Sequence, residues 1–193
     1  MTRLLALVLA IVFATGSDED VVQREHVRFS TAELAGASCR DVIAGAPEPG
    51  EARINFEFKL VGGRRTADGR YVGDVAFSLG EIVISMPRSI AWPHMTPADR
   101  ERAETLRRAI YHHEVGHVRV AEAVRDALNE HDSLVAANPF ALRAAADALG
   151  RDGFDRFKRD ERGYDDATGH GRKQHLAPGE LAGPDTTIVC GAS

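Results

Sequence analysis

Between Pro97 and Pro139 the chain has no proline, and the stretch from Ala98 to Leu128 reads as one long helix. Thr96 suits an N-cap, Pro97 suits the first helical position, and Asp99 can answer Thr96 as in a capping box. On the helical wheel Leu106, Ile110, His113, His117, Val120, Val124 and Leu128 form one stripe. Two histidines therefore stand one above the other where the core-facing side chains stand. A buried polar group without a partner costs about 1–3 kcal/mol, and one metal ion would satisfy both imidazoles. His113-Glu114-Val115-Gly116-His117 is the pattern His-Glu-x-x-His, the spacing of helical zinc sites in metalloproteases. Glu114 lies about 100° round the helix, beside the coordination position such sites leave open to water. Gly116 costs the helix about 1 kcal/mol relative to alanine. It either lets another strand or a substrate come close or is a plain packing choice. His112 points away from His113 and is expected to lie outside the ligand set.

A catalytic zinc site takes three protein ligands and one water, so one ligand has to come from elsewhere. Glu122 is half a turn away and His131 is too far along. Asn138-Pro139 opens a second helix with Phe140, Leu142, Ala145, Leu149, Phe154 and Phe157 on its apolar face. That helix is expected to be weakened at Gly150 and Gly153, to run back antiparallel to the first, and to end near Gly163. Tyr164-Asp165-Asp166-Ala167-Thr168-Gly169-His170-Gly171 then reads as a loop. His170, with glycines on both sides, is the first choice for the third metal ligand, and Asp165 and Asp166 are the alternatives. Tyr164 is the candidate donor to a developing oxyanion, with His175 as a second choice.

Upstream, Arg53–Leu60 alternates apolar and polar residues as a half-buried strand does. Tyr71–Ser78 and Glu81–Met86 read as two more strands, and Gly62-Gly63 and Asp68-Gly69 as turns. The second of those strands could offer an edge to an extended substrate. Ser30–Leu34 reads as a short helix start, Ser17–Gln23 as a flexible leader and His131–Ala137 as a break. The expected fold is α+β, zincin-like: a small antiparallel sheet followed by a long zinc-site helix and a second antiparallel helix. At 193 residues this is one domain, and a net charge of −5 argues against a general nucleic-acid binder.

Residues 1–16 read as a signal peptide: a positive start, a short apolar run from Leu4 to Phe13, and the small-x-small sequence Ala14-Thr15-Gly16. Residues 17–193 then form the mature domain, with an irregular tail from Gly171 and no other segment apolar enough to cross a bilayer. Export would let the two cysteines, Cys39 and Cys190, pair. A loop that long would stabilise the fold by about 4–5 kcal/mol in the chain-entropy picture.

The chain resembles a family of predicted secreted bacterial zinc-dependent proteases otherwise catalogued as a domain of unknown function. The resemblance runs from about Val27 to Gln174. It rests on Met86-Pro87, Trp92-Pro93, His-His-Glu-Val-Gly-His with Ala121-Glu122, and Tyr164-Asp165 … Thr168-Gly169-His170-Gly171 … Gln174. It implies export, a zinc-protease activity and metal ligation by the paired histidines, and the position of His170 agrees with the family's second motif. The family's usual cysteine-bearing mid-chain strand is absent. The expected function is a secreted or periplasmic zinc (Zn2+) metallopeptidase acting on a protein or peptide, with Glu114 as general base. The rivals are an exported zinc-binding protein without turnover and an interaction module whose histidines merely pack.

Overall fold

The computed structural model describes residues 17–34, 50–89 and 96–169. Residues 1–16, read from sequence as a signal peptide, and Cys39, Cys190, His170, His175 and the tail lie outside them. Among the described residues are three helices and one four-stranded sheet: α1 (Asp18–Arg24), β1 (Arg28–Leu34), β2 (Glu51–Arg65), β3 (Tyr71–Ser89), α2 (Pro97–Asn129), β4 (Leu134–Ala136) and α3 (Pro139–Thr168).

β3 is the spine of the sheet. It pairs antiparallel with β2 along most of its length, antiparallel with β4 at its start, and parallel with β1 from Val83 to Ser89. The sheet is therefore mixed, where the sequence led us to expect an antiparallel one. The parallel pair arises because Ser30–Leu34, read from sequence as a helix start, is part of β1. The two strands read at Tyr71–Ser78 and Glu81–Met86 are one. Gly73, Val75 and Phe77 are buried, and then Ile82, Ile84 and Met86, so the inward alternation slips by one residue between them. The ladder shows the cause: Phe56 faces Leu79 and Ile54 faces Ile82, leaving an extra residue on β3. A bulge of this kind keeps both halves facing one core, and in sequence it looks like a break. Ile82–Ser85 lie in the ladder with β2 on one side, and Val83–Met86 in the ladder with β1 on the other. This segment is therefore no free edge for a substrate. Gly62-Gly63 likewise sits at a register shift within β2, and the turn lies at Thr66–Arg70, where Thr66 N–H donates to Arg70 O at 2.8 Å.

The Ser17–Gln23 stretch is helical, not a flexible leader. Ser17 Oγ accepts from Asp20 N–H (3.2 Å) and Asp20 Oδ2 accepts from Ser17 N–H (2.8 Å), a full capping box. Val21 anchors α1 in a core shared with Ile82, Ile84, Met86, Ile110, Val115 and Val118. α2 begins at Pro97 as its caps predict, and Arg100 N–H donates to Thr96 O at 2.9 Å. Its far end is pinned to β3: Asn129 accepts from Phe77 N–H (2.9 Å) and donates to Phe77 O (3.0 Å), and His131 Nε2 accepts from Val75 N–H. The break after α2 holds the short strand β4.

α3 starts under the Asn138 cap and runs through Gly150 and Gly153 without interruption. Those positions admit Phe58 and Phe77: a Cβ on Gly153 would stand 2.7 Å from the Phe77 ring, and one on Gly150 would meet the Phe58 ring. Thr168 meets His113 at one end of the contact, and Gly153 meets Leu128 at the other, so α2 and α3 run antiparallel as expected. α3 does not stop near Gly163. It continues to Thr168 and is closed by Gly169 in the left-handed region (φ 57°), whose N–H donates to Asp165 O. Tyr164–Thr168 are thus the last helical turn rather than a loop.

Candidate metal centre

From His113 to Glu122 every residue of α2 is buried. The helix has no solvent face there because the sheet, α3 and α1 each cover a side. Ile110, Val115 and Val118 turn to the sheet core. His112, Arg119 and Glu122 turn to α1, and His113 and His117 turn to the last turn of α3.

On the α3 side three atoms converge. His113 Nε2 and His117 Nε2 are 3.2 Å apart, and Asp165 Oδ1 lies 3.2 Å from the first and 3.0 Å from the second. Among the described residues this is the one group of such side chains that could hold a metal ion. The fit can be judged from the triangle itself. Ligand atoms about 2.0–2.1 Å from a tetrahedral zinc stand about 3.3–3.4 Å from one another. The three edges fall just short of that, so the side chains already stand nearly as one face of such a tetrahedron. Two imidazoles and one carboxylate form a nitrogen–oxygen donor set suited to zinc. Asp165, whose side chain is 25% exposed, is the solvent-facing member, and the histidines lie deeper.

Extension of α3 by one turn puts Asp165 in this position. Asp166, one residue on, is exposed and is not part of the group. His170, the first choice from sequence, lies outside the described residues. The described triad uses the residue that had been its alternative.

Tyr164 is buried beside the same histidines. Its ring stacks on His113 (centroids 5.1 Å, 12° between planes) and meets His117 edge-on (5.0 Å, 79°). Its hydroxyl end lies so close to Gly116 that a Cβ there would overlap the hydroxyl oxygen and approach Cε1 to 2.9 Å. What comes close to Gly116 is thus neither a strand nor a substrate, as expected from sequence, but the side chain of Tyr164 on α3. Thr168 was not singled out from sequence. It is 1% exposed, and its Oγ1 lies 3.2 Å from His113 Nδ1 and 2.8 Å from Tyr164 O. The signal was available as Tyr-Asp-x-x-Thr, which on a helix puts the first and last residues on one face.

Glu114 is also buried, on a different side of α2. Its carboxylate reaches the entrance of β2, where a Cβ on Gly50 would stand 2.7 Å from Oε1. His112 lies away from the triad, as expected, with Nδ1 hydrogen-bonded to Asp18 Oδ2. The other Asp18 oxygen accepts from Arg119 at 2.9 Å. Burial pushes the Asp18 carboxyl up, but the hydrogen bonds and charges of His112 and Arg119 together outweigh it and hold it below the usual carboxylate range. Glu122, half a turn from the histidines, accepts from Arg24 Nε and Nη2 at 2.8 and 2.6 Å. There burial prevails, and the Glu122 carboxyl is raised. α1 is therefore bolted to the back of the site helix through buried charge pairs. His131, tied to Val75 and to Leu128 O, is structural.

A family model described as "Bacterial protein of unknown function (DUF922)" matches residues 26–171, a span that contains every residue of the site. No curated protein and no solved structure matches the chain.

Proposed function

The chain belongs to this bacterial DUF922 family, and on that premise and the geometry of the triad we propose that it is a zinc-dependent peptidase. The observation that carries the reading is the convergence of His113, His117 and Asp165 at 3.0–3.2 Å, with a buried glutamate, Glu114, between the two histidines in the sequence of the same helix. When bound, the ion supplies Lewis acidity: it lowers the pKa of water towards 7 and polarises a carbonyl. The two imidazoles and Asp165 would hold it, with His170 as a further candidate ligand. Glu114, whose carboxylate stands at Gly50, would turn towards the triad to accept the proton of the attacking water and deliver it to the leaving amine. Tyr164, packed against both imidazoles, fixes their planes, and its hydroxyl is the proposed donor to the developing oxyanion. The substrate class is a protein or peptide.

The same reading puts the protein outside the cytoplasm, secreted or periplasmic, with residues 1–16 removed as a signal peptide. Among the described residues no helix is long and apolar enough to cross a membrane. A Glu114→Gln variant tests the chemistry, because it keeps the shape and removes the proton acceptor. It should fold and bind zinc like the parent while cleavage of a broad peptide library falls by about 10²–10⁴-fold. Undiminished cleavage by Glu114→Gln would refute the assignment. Zinc binding by both proteins with cleavage by neither would favour an exported zinc-binding protein without turnover.

A further inference from the structure

We propose that Thr168 is a positioning residue: it fixes His113 as the Nδ1–H tautomer and so turns a bare Nε2 towards His117 and Asp165. The inference rests on the metal-site reading only for its consequence. The tautomer itself follows from hydrogen-bond accounting.

A threonine hydroxyl has one proton and two lone pairs. Around Thr168 Oγ1 stand Tyr164 O at 2.8 Å, Asp165 O at 3.4 Å and His113 Nδ1 at 3.2 Å. Carbonyl oxygens only accept. Asp165 O is the more distant and already takes the N–H of Gly169, and Tyr164 O is closer to Oγ1 than Nδ1 is, so we assign the hydroxyl proton to Tyr164 O. With its proton used, Oγ1 can only accept from His113, and Nδ1 must carry the ring hydrogen. The opposite tautomer would set the bare Nδ1 against a hydroxyl lone pair at a site 1% exposed to water, where loss of that bond costs about 1–3 kcal/mol.

The second partner of a metal-binding imidazole sets which nitrogen is free and how the ring is held. Here that partner is on the same helical turn as Asp165. One turn of α3 therefore both contributes a ligand and prepares the opposing one. Tyr164, stacked on the His113 ring, holds the plane that Thr168 orients about.

The test uses the whole mature protein with ¹⁵N-labelled histidine, free of metal, at about pH 8, above the ordinary imidazole range. Long-range ¹H–¹⁵N correlation should show His113 with Nδ1 protonated and Nε2 bare. Thr168→Ser should keep that pattern and bind zinc within about threefold of the parent. Thr168→Val, of equal shape but without the hydroxyl, should lose the single tautomer and bind zinc about 10–100-fold more weakly. An Nε2–H signal for His113 in the parent, or a Thr168→Val protein with parental tautomer and affinity, overturns the proposal. The parent spectrum decides it even if Thr168→Val does not fold. A parent with the Nδ1–H tautomer that binds no zinc upholds the Thr168 assignment and defeats the peptidase reading, so the two can fail separately.

Discussion

Replacement of Gly116 by alanine sets two effects of opposite sign against each other. In an open helix the change stabilises by about 1 kcal/mol, because glycine is that much the poorer helix former. Here the new methyl would enter the space of Tyr164: the hydroxyl oxygen, Cζ and Cε1 all lie within 3.0 Å of its position. The ring has little room to yield. It is stacked on His113, set edge-on against His117 and 5% exposed. Overpacking of a tight site costs about 1–3 kcal/mol, and a rigid ring held on both sides belongs in the upper half of that range. The net expectation is a loss of about 1–2 kcal/mol, or roughly 2–8 °C in Tm for a domain of this size.

Urea unfolding in excess chelator measures this without any contribution from bound metal. A second cycle in a Tyr164→Ala background isolates the cause: with the ring gone, Gly116→Ala should stabilise by the full ~1 kcal/mol, a coupling of about 2–3 kcal/mol between the positions. Zinc affinity should also fall by at least tenfold in Gly116→Ala, because displacement of Tyr164 drags the adjoining Asp165 from the triad. A Gly116→Ala protein that is about 1 kcal/mol more stable than the parent, with unchanged zinc affinity, would refute the claim that this glycine exists to admit Tyr164.

Asp165→Asn should weaken zinc binding at least tenfold while Asp166→Asn, on the exposed side of the same turn, leaves it unchanged; equal effects would remove Asp165 from the ligand set. Asp18→Asn should cost about 2–3 kcal/mol at pH 7, because it withdraws a carboxylate from hydrogen bonds to Arg119 and His112. The Asp18 carboxyl is held below its unfolded value, so its contribution is complete above about pH 4 and fades as pH falls through the lower folded value. The gap between parent and variant should therefore close in acid, and a gap independent of pH would count against the pairing. In exported protein Cys39 and Cys190 should be joined, which a thiol count under denaturing, non-reducing conditions decides; two free thiols there would refute the bridge.

What was legible in the sequence was whatever obeys a local period. α2 followed from its caps and its 3.6-residue stripe, and the stripe's Ile110, His113, His117, Val120 and Val124 are all buried. The start of α3 followed from Asn138-Pro139. What failed were places where tertiary contacts override a local sign. Gly80 and the one-residue slip beside it looked like the end of a strand, but pairing to β2 carries β3 straight through. Ser17–Gln23 looked like a leader because seven residues make a marginal helix alone. Val21 in the core and Asp18 under Arg119 hold it in place.

The end of α3 is the instance that changed the chemistry. Gly163 and Gly169 are both credible helix stops, and the earlier one was chosen. Gly163 has ordinary negative φ, and a Cβ there would meet nothing within 4 Å, whereas Gly169 takes the left-handed cap. The deciding residues are Phe157, Tyr164 and Thr168. Phe157 and Tyr164 are seven apart and Thr168 four further on, so the apolar face of α3 continues past Gly163 only if the helix does. All three are buried. Once the helix is carried to Thr168, Asp165 ceases to be a loop residue free to point anywhere. It becomes a side chain held one step round from a buried tyrosine, against the only two histidines on the inner stripe of α2. The choice of third ligand thus turned on helix length, a quantity set by packing against α2 rather than by the glycines on either side.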